Sequence, residues 1–314
     1  MYINNKKIAV LLSSYNGERY IIPQIRSILD QNVEIPIQLF VRDDGSTDNT
    51  VQIVQELERK DERVTLIPSN NIGSVASFFA LLKMAHDLPD CFDYFALSDQ
   101  DDVWDSDKLK IAINAINSKN METAILYGST TRPVNQDLEP LKYRKSVLKP
   151  FDFYNTIIQI RIPGHTHVMN RALLNLVYDA DPSKIYGHDA FIVNAANIAG
   201  CLIYDDMAHV SYRQHEGNLL GTTKSSKAKW IQNRLTRVKR GGGKLYGRQI
   251  EYIVECFGSK MSTEQKKEMS DFLNSRHSFW KRLSYIFRTK LYRQDLFDTF
   301  AFKLLYLTGG YNAD

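Results

Sequence analysis

Through the first half of the chain, short apolar runs alternate with segments whose apolar residues recur at helical spacing. Ile8-Ala9-Val10-Leu11-Leu12 reads as a buried strand that gives way to the polar loop Ser13-Ser14-Tyr15-Asn16-Gly17. Ile21, Ile22, Ile25, Ile28 and Leu29 then mark one helix face, and Pro23, tolerable only in a first turn, sets the helix start near Tyr20. Ile37 to Val41 is a second strand, with Ser46 or Thr47 as the expected cap of the helix carrying Val51, Ile53, Val54 and Leu57. Val64 to Ile67 is a third, followed by a loop to Gly73 and a helix that Ser74 is expected to cap. Phe92 to Leu97 is a fourth and Ala124 to Tyr127 a fifth, with a helix between them expected to start near Asp105 or Ser106.

Strands alternating with helices predict parallel βαβ units with right-handed crossovers. Ligands in such sheets bind beyond the carboxyl ends of the strands. The polar segments Ser13–Gly17, Asp43–Asp44, Asn70–Gly73 and Asp99–Asp102 are therefore expected on one edge. Thr130 to Arg161 shows no ordering pattern. Beyond it, His165 to Met169 reads as a strand, Arg171 to Tyr178 as a short helix and Asp189 to Ala199 as a buried helix ended by Gly200. Cys201 to Tyr204 and His209 to Arg213 read as two further strands.

With 314 residues, 43% of them hydrophobic, the chain can bury a large core. It has no run of eighteen apolar residues, and Met1 to Lys7 lacks the features of a signal peptide, so the expected location is the cytosol or the membrane's cytoplasmic face. Cys91, Cys201 and Cys256 are too widely spaced for a disulfide framework or zinc site and fit reduced thiols. The net charge of +4 conceals an asymmetry: residues 1–223 carry −7 and residues 224–314 carry +11. An acidic body with a basic extension is expected.

Asp99, Asp101 and Asp102 crowd one strand end. Like charges this close destabilise a fold unless a cation or hydrogen-bond donors answer them, which suits a hard divalent ion, Mg²⁺ or Mn²⁺. A solvated acidic turn ahead of a helix is the alternative.

The order Ser-Ser-Tyr-Asn-Gly after strand one, Arg-Asp-Asp-Gly-Ser-Thr-Asp after strand two, Ser-Asp-Gln-Asp-Asp-Val-Trp after strand four, then Gly187-His188-Asp189 and Tyr212-Arg213-Gln214-His215 resembles the family 2 inverting glycosyltransferases, in particular their bacterial rhamnosyltransferase-like branch. The resemblance spans roughly residues 8–218. It implies a GT-A fold: an α/β architecture with a Rossmann-like, mostly parallel central sheet flanked by helices. Residues 1–223 would form the catalytic domain, with a nucleotide-binding half to about 128 and an acceptor half from about 129. Residues 224–314 would add a basic helical extension.

The resemblance also implies roles. Asp101, last acid of the D-x-D motif, is expected to ligate the cation, with Asp99 on the ribose side or at the metal and His215 completing its shell. Asp102 would be a further ligand or a helix-terminal charge. Ser13 and Tyr15 fall on the nucleotide side, Tyr15 either stacking on the base or packing in the core. Asp43 and Asp44 would bind base and ribose, and Asn71 would belong to a nucleotide-side loop or a plain turn. Asp189 is expected to be the general base, with His188 the alternative. His165 and His167 depart from the apolar residues expected on the acceptor side.

The implied donor is a nucleotide sugar, dTDP-L-rhamnose or a UDP-hexose, and the implied acceptor a glycan, free or lipid-linked. A carbohydrate-binding protein without catalysis would need a broken D-x-D motif or a missing base, and both are intact. Between Lys224 and Arg248, nine Lys/Arg and no acids alternate with Trp230, Ile231, Leu235 and Val238 before the Gly241-Gly242-Gly243 break. Aromatics and cations mix again from Phe279 to Arg288. With no nucleic-acid signature, these segments fit either an anionic membrane surface or packing on the body or a second subunit.

Overall fold

The computed structural model describes residues 6–89, 91–141, 149–215 and 242–312. The first four apolar runs form β1 (Lys7–Ser14), β2 (Ile37–Asp43), β3 (Val64–Pro68) and β4 (Phe92–Ser98). They alternate with α1 (Ile21–Leu29), α2 (Thr50–Lys60) and α3 (Ser74–His86). After a short β5 (Val103–Trp104) come α4 (Lys108–Asn117), β6 (Ala124–Val134), α5 (Phe153–Thr156), β7 (Val168–Asn170), α6 (Arg171–Val177), α7 (His188–Ala199) and β8 (Gly200–Arg213). The eight strands make one sheet in the order β3-β2-β1-β4-β7-β6-β8-β5. β1 pairs in parallel with β2 and β4, as do β2 with β3 and β6 with β8; β7 is antiparallel to both its neighbours. The central parallel strands β1, β2 and β4 bury both faces, which explains why they read as apolar runs.

Several local expectations are corrected. Neither Ser46 nor Thr47 caps α2, because the Ser46 hydroxyl bonds Asp43 and the Thr47 N–H bonds Asn16. The helix starts three residues after Thr47, behind Asn49. Ser74 is the first residue of α3 rather than its cap; that position belongs to Gly73, at φ 86°. A two-residue strand, β5, delays α4 to Lys108. His165 lies in a 3-10 turn, Gly164–Thr166, ahead of β7. β6 continues past Tyr127 to Val134, and β8 is one 14-residue strand where two were expected. Register shifts around Thr130 let the two run together past Asp205-Asp206, which interrupts the apolar pattern.

The chain divides into two compact units. The first comprises residues 1–143, 162–180 and 200–221 and holds the whole sheet; the second comprises 144–161, 181–199 and 222–314. α5 and α7 belong to the second unit. So do α8 (Gly242–Phe257), α9 (Thr263–Ser275), α10 (Phe279–Arg288) and α11 (Leu296–Leu307). The glycine run read as a break is where α8 begins. α9 opens on a reciprocal capping box between Ser262 and Gln265, and Asp295 caps α11. The last helices pack through aromatic side chains, with Phe272, Tyr285, Phe302 and Tyr306 all buried. The stretch Lys224–Gly241, with Trp230, Ile231, Leu235 and Val238, lies outside the described residues, as do Gly217 and Asn218.

Candidate active site

The polar loops do meet at the carboxyl ends of β1, β2 and β4. Ser13 and Ser77 share a hydrogen bond of 2.6 Å between their hydroxyls. Asp43 accepts from the Ser14 hydroxyl at 3.1 Å and the Ser46 hydroxyl at 2.5 Å. Asp44 accepts from Arg42 at 2.5 Å and from the N–H groups of Ile72 and Gly73, each at 2.9 Å. It thereby pins the turn that carries exposed Asn71. The Arg42–Asp44 pair is buried, so removing either partner would strand a charge away from water.

Tyr15 is 47% exposed, which excludes the core packing that was its alternative. Its backbone is clamped by Gln100, which accepts from the Tyr15 N–H at 2.7 Å and donates to the Tyr15 carbonyl at 2.9 Å. A Cβ on neighbouring Gly17 would come within 2.4 Å of the same Gln100 oxygen, so the clamp needs glycine there.

The acids after β4 are deeply set. The Asp102 carboxyl is fully buried, accepts from the Arg213 N–H at 3.2 Å, and leaves Oδ2 without a hydrogen bond. That oxygen lies 3.3 Å from Nδ1 of buried His165, which also sits 3.1 Å from Asp99 Oδ2. Asp101 faces the other way and meets His215 Nε2 at 2.7 Å. Both imidazoles rest on tyrosines, His165 on Tyr212 and His215 on Tyr20, with ring centroids 5.0 Å apart in each case. Lys108 is fully buried and packs against the His165 segment. Its Nζ is 3.1 Å from the Trp104 ring centroid and donates to the His165 carbonyl at 3.1 Å.

Burial and crowding shape the protonation of this cluster. Burial pushes Asp102 up to about 7 despite His165 beside it. Asp101 is raised by burial and by the charge of Asp99. Burial works against a protonated His165, yet Asp102 and Asp99 outweigh it and raise the imidazole. Burial drives the Lys108 ammonium well below its ordinary range. Protons thus supply the counter-charge that crowded carboxylates require, and a cation can replace them.

The donor set fits a divalent metal. One ligand atom each from Asp99, Asp102 and His165 lie within 4.8 Å of one another, and Asp102 Oδ2 is an orphaned oxygen among them. Oxygen donors with an imidazole suit Mn²⁺, and the carboxylates alone suit Mg²⁺. Of the expected ligands, Asp99 joins this group while Asp101 pairs with His215.

Sequence reasoning missed His165 and Lys108 and left Asp102 undecided. The pattern does carry a signal for Lys108, since it falls four and eight residues before Ala112 and Ile116, on the buried stripe of α4. His165 has none, because the 65 residues between the end of β4 and the turn that carries it hide the contact.

Asp189 belongs to the second unit, in the first turn of α7, where its Oδ1 accepts from the Ala190 N–H at 2.8 Å. The preceding turn is fixed by Gln249, whose Oε1 accepts from the N–H groups of Tyr186 and Gly187 at 2.8 and 3.0 Å. A Cβ on Gly187 would lie 2.8 Å from the Asp189 carboxylate and would push that oxygen from its present position.

A strand-end carboxylate cluster flanked by polar loops is what the motifs anticipated, and the model of glycosyl transferase family 2 matches residues 9–175. The chain belongs to that family. It is a glycosyltransferase, similar over most of its length to the dTDP-rhamnosyl transferase RfbG of Shigella flexneri, with 30% identity over 286 residues covering 86% of this chain and 93% of RfbG. An uncharacterized glycosyltransferase of Haemophilus influenzae is 26% identical over 227 residues, 66% of this chain and 65% of that protein. Among solved structures, residues 1–349 of S. aureus TarS in complex with UDP-GlcNAc share the fold at a TM-score of 0.54 and 18% identity, over 89% of this chain and 80% of that one. The central sheet flanked by helices, with a helical C-terminal region, is therefore the GT-A architecture of a family 2 enzyme. Among the described residues, no helix is long and apolar enough to cross a membrane.

Proposed function

We propose that this family 2 enzyme is an inverting transferase that moves L-rhamnose from dTDP-L-rhamnose onto a growing, lipid-linked surface polysaccharide at the cytoplasmic face of the membrane. The observation that carries the donor is the extent of similarity to RfbG, which covers nearly the whole of both chains. In this reading residues 1–223 are the catalytic domain, with the nucleotide-binding half to about 128, and 224–314 the extension. Ser13, Asp43 and the Asn71 turn held by Asp44 border the nucleotide, and exposed Tyr15 offers its ring to the thymine.

Asp101, Asp99 and His215 would hold Mg²⁺ or Mn²⁺, with the Asp102 and His165 donors that cluster with Asp99 available to it as well, and the bound cation would supply positive charge opposite the departing diphosphate. His165, backed by Asp102 and Lys108, orients Asp99. The Asp189 carboxylate takes the proton of the acceptor hydroxyl as that oxygen bonds to the anomeric carbon from the side opposite the diphosphate. The carbon–oxygen bond to the diphosphate breaks, and dTDP leaves with that electron pair.

Screening dTDP- and UDP-sugars for metal-dependent release of nucleoside diphosphate tests the donor. Preference for dTDP-L-rhamnose is expected. TarS was solved with UDP-GlcNAc and with UDP, which makes a UDP-hexose the second reading, and preference for one would replace the first.

A further inference from the structure

The second unit exposes what a folded domain normally hides. On α10, Trp280 is 74% and Phe287 81% exposed, seven residues apart and thus on one side of the helix. On α11, Leu296 is 77% exposed, and Phe297, Phe300 and Leu304 are each more than half exposed. The opposite sides of the same helices are well packed. Tyr285, Phe302 and Tyr306 are buried, Tyr306 bonds the Ser275 hydroxyl at 2.7 Å, and Arg282 ties α10 to the Leu307 carbonyl at 2.9 Å. The exposed face therefore belongs to a firmly built pair of helices. Apolar patches of this kind mark an interaction surface.

Charge decides between its occupants. From Phe279 to Leu307 there are six Lys/Arg against two Asp. Lys281 and Arg288 are exposed beside Trp280 and Phe287, and Lys303 lies one turn from Phe300. A two-fold contact with a second copy would set this cationic margin against itself. An anionic lipid surface complements it, taking the rings into the headgroup boundary while the cations face the phosphates. Trp280 suits that boundary, with an apolar ring and an indole N–H for a polar headgroup.

We infer that the exposed face of α10 and α11 is an interfacial membrane-docking surface for anionic phospholipid. This inference rests on the membrane-bound acceptor proposed above and locates the attachment in two helices that lie on the bilayer rather than cross it.

The test uses the full chain and vesicles of phosphatidylglycerol mixed with phosphatidylcholine, compared with phosphatidylcholine alone. Wild type is expected to sediment with the anionic vesicles, with a tryptophan emission shift that Trp280→Phe removes. The triple variant Trp280→Ser, Phe287→Ser, Phe300→Ser should weaken binding by about a hundredfold or more. Lys281→Gln with Arg288→Gln should weaken it by about fivefold per cation removed. Circular dichroism and metal-dependent release of nucleoside diphosphate in vesicle-free buffer should be unchanged in all of them. That readout keeps a failed docking surface distinct from a failed transferase assignment. Wild type that ignores anionic vesicles at low salt overturns the inference. So does a triple variant that binds as wild type does, or a concentration-dependent dimer that the triple variant abolishes.

Discussion

The loop after β4 and the last two helices break the usual partition of side chains in opposite directions. Around Asp102 the protein buries what water should keep: a carboxyl beside an imidazole, and the lysine amine that bonds the carbonyl of the same histidine. On α10 and α11 it exposes what the core should take. Neither departure helps the isolated fold, since burying charge costs desolvation and leaving aromatics in water forfeits hydrophobic stabilisation. Under the function and docking surface proposed above, each prepares for a partner, a divalent cation and diphosphate in the first region and a lipid surface in the second. Their chemistry differs accordingly. The loop achieves position through short polar contacts in a fixed frame, and the proposed docking of the helix pair would draw on area and charge.

The sharpest way to break that comparison is at the loop. Asp101→Ala should lower transfer by about a thousandfold or more while circular dichroism stays native, because the residue sits on a loop and contributes little packing. Near-normal, chelator-insensitive turnover would remove Asp101 from the cation site. Next in size, Asp189→Asn should cut transfer by about a hundredfold to a thousandfold with donor binding retained, and His188→Ala should keep measurable transfer. The reverse ranking would make His188 the base.

Stability measurements probe the helix pair. Phe302→Ala, on the packed side of α11, should destabilise the protein by about 3–5 kcal/mol. Phe300→Ala, on the exposed face of the same helix, should change stability by no more than about 0.5 kcal/mol in solution. Comparable losses in urea unfolding would mean that the face is covered in the free protein.

The smallest effect is in the pH profile without metal. Folded Asp102 holds its proton to about pH 7, whereas an unfolded aspartate releases it near pH 4. The folded state therefore binds more protons across that window, and stability should fall as pH rises through it. His165, also raised, acts in the same direction, losing its stabilising charge as pH rises through its folded value. Asp102→Asn has no such proton to release and removes the partner of His165, so its melting temperature should decline less from pH 5 to 8. Parallel declines in the two proteins would show that the buried carboxyl is ionised throughout.

Much of this was legible in the residues themselves. Apolar runs of four to six residues spaced by helical stripes are enough to specify parallel strands and crossovers, because burial on both faces leaves no other way to satisfy them. The placement of Ser13, Asp43, Asp99 and Asp101 at strand ends follows from the same periodicity, since a polar residue directly after a buried run must lie where the strand leaves the sheet. The contact between His165 and Asp99 and the pairing of His215 with Asp101 join residues 66 and 114 positions apart, and no local pattern records them. They arise because β7 inserts antiparallel beside β4 and because the long β8 ends at the carboxylate loop. The exposed aromatic face is a further decision of tertiary structure. The sequence of α11 is apolar nearly all round, and only the packing of Phe302 and Tyr306 inward determines that Leu296, Phe300 and Leu304 point out. Local periodicity thus determined the elements and the edge where chemistry occurs, while long-range packing determined which charges share a proton and which rings meet water.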